Sequence, residues 1–115
     1  MHKKIFKKLE SKNLNPFYPG QHQGKCTEPY TVIREGAQIP SPGGRTTGQK
    51  IIDIILFTPG NSYLQMEEYK KQVGEALREI KGLRKTGTET PIVTDDDKEA
   101  YTSSQEYVIH KKMEG

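Results

Sequence analysis

With 115 residues, a formal net charge of +3 and one cysteine, the chain is expected to form one domain, residues 1–115, without an internal disulfide bond. It has no apolar run near the ~18 residues of a transmembrane helix and no apolar signal-peptide segment, which predicts a soluble protein that is made and used, or assembled, inside a cell. Apolar residues are fewer than in an average globular domain even when the 11 glycines are counted. Such a lean core favours a subunit that completes its burial against partner chains.

Residues 2–13 are predicted to form a short basic helix. Ile5, Phe6 and Leu9 fall on one apolar stripe, and this stripe must dock on the rest of the domain because so short a helix is marginal alone. The remaining positions carry Lys3, Lys4, Lys7, Lys8 and Lys12. We interpret these lysines as a solvated face, with a surface for nucleic acid or for an acidic partner as the alternative.

Residues 30–34 have the composition of a strand, and the segment after them, residues 35–49, is rich in glycine and proline. This segment is too long for a tight hairpin and is predicted to be a loop. Loops longer than ~12–15 residues in compact domains are usually functional or disordered. We expect its centre to order on contact with a partner, because it offers a fixed positive charge and two hydroxyl groups. The contact residues predicted in this loop are Arg45, Thr46, Thr47 and Gly48. The alternative is a solvated hairpin tip without a partner.

The strand predicted at residues 51–57 organises the rest of the chain. One face carries Ile52, Ile54 and Leu56. The other carries Ile51, Asp53, Ile55 and Phe57. A strand that is apolar on both faces belongs in the middle of a sheet. We interpret Asp53 as a carboxylate on a partly hydrated or subunit-facing side, because nothing near it in sequence completes a catalytic set.

A long helix is predicted over residues 62–81. Ser62 and Gln65 have the spacing of a capping box, and Gly82 is expected to end the helix. Its apolar stripe consists of Met66, Tyr69, Val73, Ala76, Leu77 and Ile80. We expect this stripe to cover one face of the sheet.

Four further segments follow the long helix. They are a strand at residues 83–86, an extended segment at 92–94, an exposed acidic segment at 95–100 with room for one helical turn, and a last strand at 104–112. In the last strand, Tyr107 and Ile109 share one face and Val108 lies on the other. The elements together predict an α+β fold, in which a mostly antiparallel sheet of about four strands packs against one long helix and a short N-terminal helix.

The sequence contains no residue set that is typical of an enzyme, a cofactor site or a metal site. Residues 43–48 resemble a phosphate-binding loop only superficially, since Lys50 is out of register and a strand follows instead of a helix. His22 and Cys26 are two ligands where a metal site typically needs three or four. We therefore expect no catalytic residues, no cofactor and no metal.

Six short stretches of the chain together resemble a known family. In order they are Pro16-Phe17-Tyr18-Pro19, Glu28-Pro29-Tyr30-Thr31-Val32-Ile33, the strand at residues 51–57, Asn61-Ser62-Tyr63, Arg84-Lys85-Thr86-Gly87 and Gln105-Glu106-Tyr107. Their order and spacing resemble the tail terminator, or tail-completion, proteins of long-tailed bacteriophages and phage-tail-like bacteriocins. The resemblance covers nearly the whole chain.

The resemblance implies a structural protein without catalysis. Tail terminators form a ring, typically hexameric, that caps the head-proximal end of the tail tube, stops its polymerisation and offers the attachment surface for the head connector. The implied partners are further copies of the chain, the tube protein, and the sheath and connector proteins of the particle, with DNA only as passing cargo and no membrane. The implied location is the head-proximal tail end of a virion or bacteriocin assembled in the bacterial cytoplasm.

The ring leads us to assign three further residues to subunit contacts, namely Asp53, Lys4 and Lys8. Two alternatives to a terminator stay open. One is a head–tail joining or connector protein of the same particle, since such proteins are also small α+β domains. The other, from a different class, is a small basic nucleic-acid-binding domain, which the lysines of the first helix and Arg45 would support.

Overall fold

A computed structural model describes residues 1–40 and 47–112, and describes side chains for residues 1–36 and 50–109. The elements in chain order are α1 (His2–Ser11), β1 (Pro16–Phe17), β2 (Tyr30–Pro40), β3 (Thr47–Pro59), α2 (Tyr63–Arg78), β4 (Leu83–Glu89), β5 (Val93–Asp95) and β6 (Ala100–Lys112). The predicted α+β class is confirmed. Within the described residues the domain has two helices and a mixed sheet of six strands, where about four strands were predicted.

The sheet is built around β3, as the isoleucine-rich sequence predicted. The strand order is β1-β2-β3-β6-β4, and β5 pairs with β6 beside this path. Only β1 and β2 pair in parallel; the other described pairs are antiparallel. The two additional strands are β1 and β5, with two and three residues. β5 overlaps the extended segment predicted at residues 92–94. β1 was not predicted, because two residues carry no periodic signal.

The segment between β2 and β3 differs from the predicted loop over residues 35–49. Both strands extend into it, with Gln38 paired to Lys50 and Pro40 paired to Gly48. The register shifts just after Glu35, where a side chain at Gly36 would lie 3.2 Å from the Ile51 side chain. Gly36 therefore lies at an irregularity in the strand pairing, where a larger residue would crowd Ile51, and not in a loop. Residues 41–46 lie outside the described residues.

The long helix α2 begins as predicted and ends earlier. The Ser62 hydroxyl accepts a hydrogen bond from the Gln65 N–H at 3.2 Å, which confirms the predicted N-cap. The helix ends at Arg78, because the next two N–H groups donate to carbonyls three residues back, at Ala76 and Leu77, and tighten the last turn. The predicted end at Gly82 is thus wrong. Gly82, at φ +85°, makes the turn into β4 instead.

Both helices pack on one face of the sheet and close the main core there. Ile52, Ile54 and Leu56 of β3 are fully buried on this face. The helices contribute Ile5 and Leu9 from α1 and Met66, Tyr69, Val73, Ala76 and Leu77 from α2. The predicted stripes of both helices are therefore confirmed, with Ile80 and Phe6 packed at the margin of the core.

A buried hydrogen-bonded group ties α2 to the N-terminal part of the chain. The Tyr69 hydroxyl donates to the Leu14 carbonyl at 2.5 Å and lies 2.7 Å from the Thr31 hydroxyl. Burial raises the pKa of Tyr69, so the phenol stays protonated and able to donate.

The Tyr69→Phe variant is expected to lose about 1 kcal/mol of the free energy of unfolding, because the buried Leu14 and Thr31 oxygens lose a partner. Urea denaturation followed by circular dichroism measures this loss. Tyr63→Phe is the matched control, since Tyr63 is 49% exposed and should leave the free energy unchanged. Equal stability of both variants would contradict the role assigned to the Tyr69 hydroxyl.

Candidate functional site

The face of the sheet opposite the two helices is the first candidate surface. We call it the open face, and it consists of Val32, Arg34, Ile51, Asp53, Ile55, Glu106 and Val108. The strand register places these residues together, since Val32 pairs with Ile55, Arg34 with Asp53 and Ile51 with Val108. Neither described helix packs on this side, because both contribute their buried residues to the core on the other side.

The open face carries apolar residues on both sides of its charged centre. Ile51, Ile55 and Val32 are half-buried, and Val108 is buried at 8% exposure. Sheets normally bury an apolar face against a second layer of structure. Val32 and Ile55 pack against the cluster formed by Cys26, Tyr30, Phe57 and Ala100. Neither described helix covers the half-buried Ile51. The open face is therefore suited to contact another protein surface.

An ion pair lies at the centre of the open face. Arg34 Nη2 is 2.9 Å from Asp53 Oδ2, and the arginine side chain is 58% exposed. This pair explains how a carboxylate is accommodated in the isoleucine-rich strand. Exposed ion pairs contribute little to stability on their own, about 0–1 kcal/mol. A partner that excluded water from this face would strengthen the interaction between the two charges.

One end of this side of the sheet is closed by the segment between β1 and β2. Tyr30 and Phe57 stack with ring centroids 4.8 Å apart, and His22 stacks on Tyr30 at 3.7 Å. The Cys26 N–H donates to the Lys98 carbonyl at 2.8 Å and holds the segment down. The aromatic cluster thus marks the boundary of the open face.

His22 and Cys26, considered above as metal ligands, both belong to this packed region. Burial lowers the pKa of His22 and raises the pKa of the Cys26 thiol, which donates to the Glu28 carbonyl at 3.2 Å. A neutral imidazole and a protonated thiol are the forms expected of packing residues. Among the described side chains, no three His, Cys, Asp or Glu residues are grouped as metal ligands.

The residues predicted to contact a partner fall in different parts of the molecule. Asp53 lies on the open face, whereas Lys4 and Lys8 lie on α1, on the helical side of the sheet. Thr47 and Gly48 form the first residues of β3, where their backbones pair with Lys112 and Lys111. Arg45 and Thr46 lie outside the described residues. The structure therefore does not bring the five described residues of this set into one site.

A second candidate surface lies where α1 meets the end of α2. Lys8 Nζ is 3.2 Å and Lys12 Nζ is 3.6 Å from the Glu79 carboxylate, and Lys8 holds the pKa of Glu79 below its usual value. The sequence pattern could not indicate this contact, because Glu79 is 71 residues from Lys8 along the chain.

Arg34, Val32 and Val108 were also missed as site residues. The sequence shows that these residues alternate with apolar neighbours, but only the register of three strands shows that they surround Asp53.

Neither of the two described helices has the length and apolar character that crossing a membrane requires.

No protein-family model matches the chain, and no curated protein matches it either. The open face, the charged surface at the ends of the helices and the order of elements along the chain are therefore the observations that bear on function.

Proposed function

We propose that this chain is a tail terminator, the subunit of a hexameric ring that caps the head-proximal end of a phage or bacteriocin tail tube. In this role it stops tube polymerisation and offers the attachment surface for the head connector. The proposal draws on the order of elements that resembles this family. An α+β domain with a helix-covered sheet is compatible with that resemblance.

The observation that carries the proposal is the open face, on which the half-buried Ile51 is covered by neither described helix. A subunit with a lean core and a sheet face that no described helix covers gains stability when another chain covers that face. In a closed ring, each subunit presents two different surfaces to its neighbours, and no lateral surface stays open. The open face supplies one such surface, and its burial in the ring would add to the burial of the lean core.

The other predicted contact residues are given separate roles. Arg45, Thr46, Thr47 and Gly48, between and at the start of the long hairpin strands, are proposed to contact the tube or a neighbouring subunit. Asp53 is proposed to lie in the contact between subunits, with Lys4 and Lys8 on a separate contact surface. Sheath and connector proteins would bind the outside of the ring, and DNA would only pass through its channel.

Growth of the tail tube in the presence of the chain tests the proposal. Purified tube protein of the same particle is polymerised with and without the chain, and tube lengths are measured by electron microscopy. We expect shorter tubes, each with added ring density at one end only. Unchanged tube lengths and bare tube ends at saturating concentrations of the chain would contradict the proposal.

The same mixture separates the terminator from its alternatives. A head–tail joining protein would bind tails that already carry an end cap and would not shorten growing tubes. A nucleic-acid-binding domain would leave tube growth unchanged and would retard duplex DNA in a gel.

A further inference from the structure

The groove between α1 and the end of α2 is strongly basic. Its walls are formed by Lys4, Lys7 and Lys8 of α1 and by Glu79, Ile80 and Lys81, and it has a volume of about 460 Å³. We call this cavity the basic groove. Four ammonium groups face one carboxylate there, and a concave surface lined by one sign of charge concentrates its field on a bound partner.

The basic groove has more lysines than its one acidic residue, Glu79, can neutralise. Glu79 is shared by Lys8 and Lys12. Within the part of the chain that the structure describes, Lys4, Lys7 and Lys81 form no ion pair. The negative end of the α2 dipole favours a cation such as Lys81, but it does not account for the two lysines on α1. The groove is therefore suited to an anionic partner.

A second surface of opposite charge lies in the turn between β5 and β6. We call it the acidic turn, and it consists of Asp95, Asp96, Asp97 and Glu99. Glu99 forms an ion pair with Lys25, with 2.5 Å between Oε2 and Nζ. Asp95 accepts a hydrogen bond from the Lys98 N–H. Asp96 and Asp97 are exposed and form no ion pair with another described residue. The turn thus presents two free carboxylates to the solvent.

The acidic turn and the basic groove lie at opposite ends of α2. The Gly60 N–H donates to the Glu99 carbonyl at 3.0 Å, which fixes the turn beside the residues that lead into the helix. The groove is formed by the residues that follow the helix. A 16-residue helix is about 24 Å long. The two charged surfaces therefore cannot meet within one rigid molecule, whereas a second copy can bring them together.

We propose that the acidic turn of one copy docks in the basic groove of the next copy, in a head-to-tail contact. This inference rests on the proposed ring and names the charges that orient its subunits. A heterologous contact of this kind closes into a ring when its rotation permits. A second copy gives both charged surfaces a partner, whereas a nucleic acid would occupy the groove and leave the acidic turn without one.

Two charge-reversed variants test this contact. The groove variant carries Lys7→Glu and Lys81→Glu, and the turn variant carries Asp96→Lys and Asp97→Lys. Each variant alone places like charges opposite each other in every contact, so we expect self-association to weaken by more than about tenfold. A 1:1 mixture should assemble as wild type does, because each variant then meets the opposite charge on its neighbour. Sedimentation velocity and native mass spectrometry measure both results.

A matched control carries Lys71→Glu and Arg78→Glu, the same change of charge on exposed residues outside the groove. It should assemble as wild type does, and circular dichroism should show all variants folded. The contact is overturned if either charge-reversed variant assembles like wild type or if the mixture stays dissociated. In that case a wild-type ring would still support the proposed function. A monomeric wild type would overturn both. Binding of a 30-base-pair DNA duplex to wild type that only the groove variant loses, with assembly unaffected, would assign the groove to nucleic acid instead.

Discussion

Replacing Ile54 with aspartate is expected to prevent the chain from folding. Ile54 is fully buried in the middle of β3, on the face covered by both helices. An unpaired carboxylate in an apolar core costs several kcal/mol. This is a large share of the free energy of unfolding of a typical domain, which is about 5–15 kcal/mol. Gln105, its partner across the strand pair, offers an amide but no positive charge.

Circular dichroism and urea denaturation measure this effect. The control is Ile54→Val, which removes one methylene at the same site and should cost only about 0.5–1.5 kcal/mol. A soluble Ile54→Asp variant that unfolds cooperatively with a free energy close to wild type would contradict the burial of this residue and with it the packing of the helices on β3.

The same substitution at Ile51 is expected to leave the fold intact and to abolish assembly. Ile51 lies on the same strand but points to the open face, where it is only half-buried and its surroundings include solvent. The subunit should lose about 1 kcal/mol of the free energy of unfolding. In a subunit contact the new carboxylate would lie unpaired beside Asp53 and away from water, which costs several kcal/mol of association free energy.

Sedimentation velocity and circular dichroism together distinguish these two consequences. Leu64→Asp is the matched control, because Leu64 is 73% exposed at the beginning of α2 and outside the open face. It should change neither the fold nor the assembly. An Ile51→Asp variant that assembles with wild-type affinity would show that the open face is not a subunit contact.

The elements with a strong local signal could be predicted from the sequence. The isoleucines of β3 predicted its central position in the sheet. The apolar stripe from Met66 to Leu77, together with the Ser62 cap, predicted α2. These elements are stabilised by packing of the same residues that make the pattern, so local sequence and tertiary structure agree. The end of α2 was missed because Glu79 and Ile80 are compatible with a helix and leave it through tight-turn hydrogen bonds.

The extents of β2, β3 and β6 depend on their partners and could not be read locally. Gly48 belongs to the glycine-rich segment that was predicted to be a loop. In the structure its backbone pairs with Pro40 on one side and with Lys111 on the other. The first residues of β6 are rich in serine and threonine, so that the strand was predicted to begin at Ser104 instead of Ala100. Ser103 donates its hydroxyl to the Thr90 carbonyl at 2.8 Å, a bond between distant residues that favours the extended form.

The candidate site was predictable only in part, for the same reason. The sequence indicated that both faces of β3 are apolar and that Asp53 lies on the less buried one. It did not indicate that Arg34 pairs with this carboxylate or that Glu79 joins the lysines of α1, because each contact depends on a strand register or on helix packing. Charged surfaces formed by distant segments appear only once the topology is known.

Native mass spectrometry of the wild-type chain tests the proposed ring most directly. We expect one dominant species, a closed hexamer of the 13.1 kDa subunit, whose stoichiometry does not change as the protein concentration is raised. The Ile51→Asp variant should appear as a folded monomer in the same experiment. A wild-type chain that stays monomeric at every concentration, or that forms open oligomers growing with concentration, would contradict the ring.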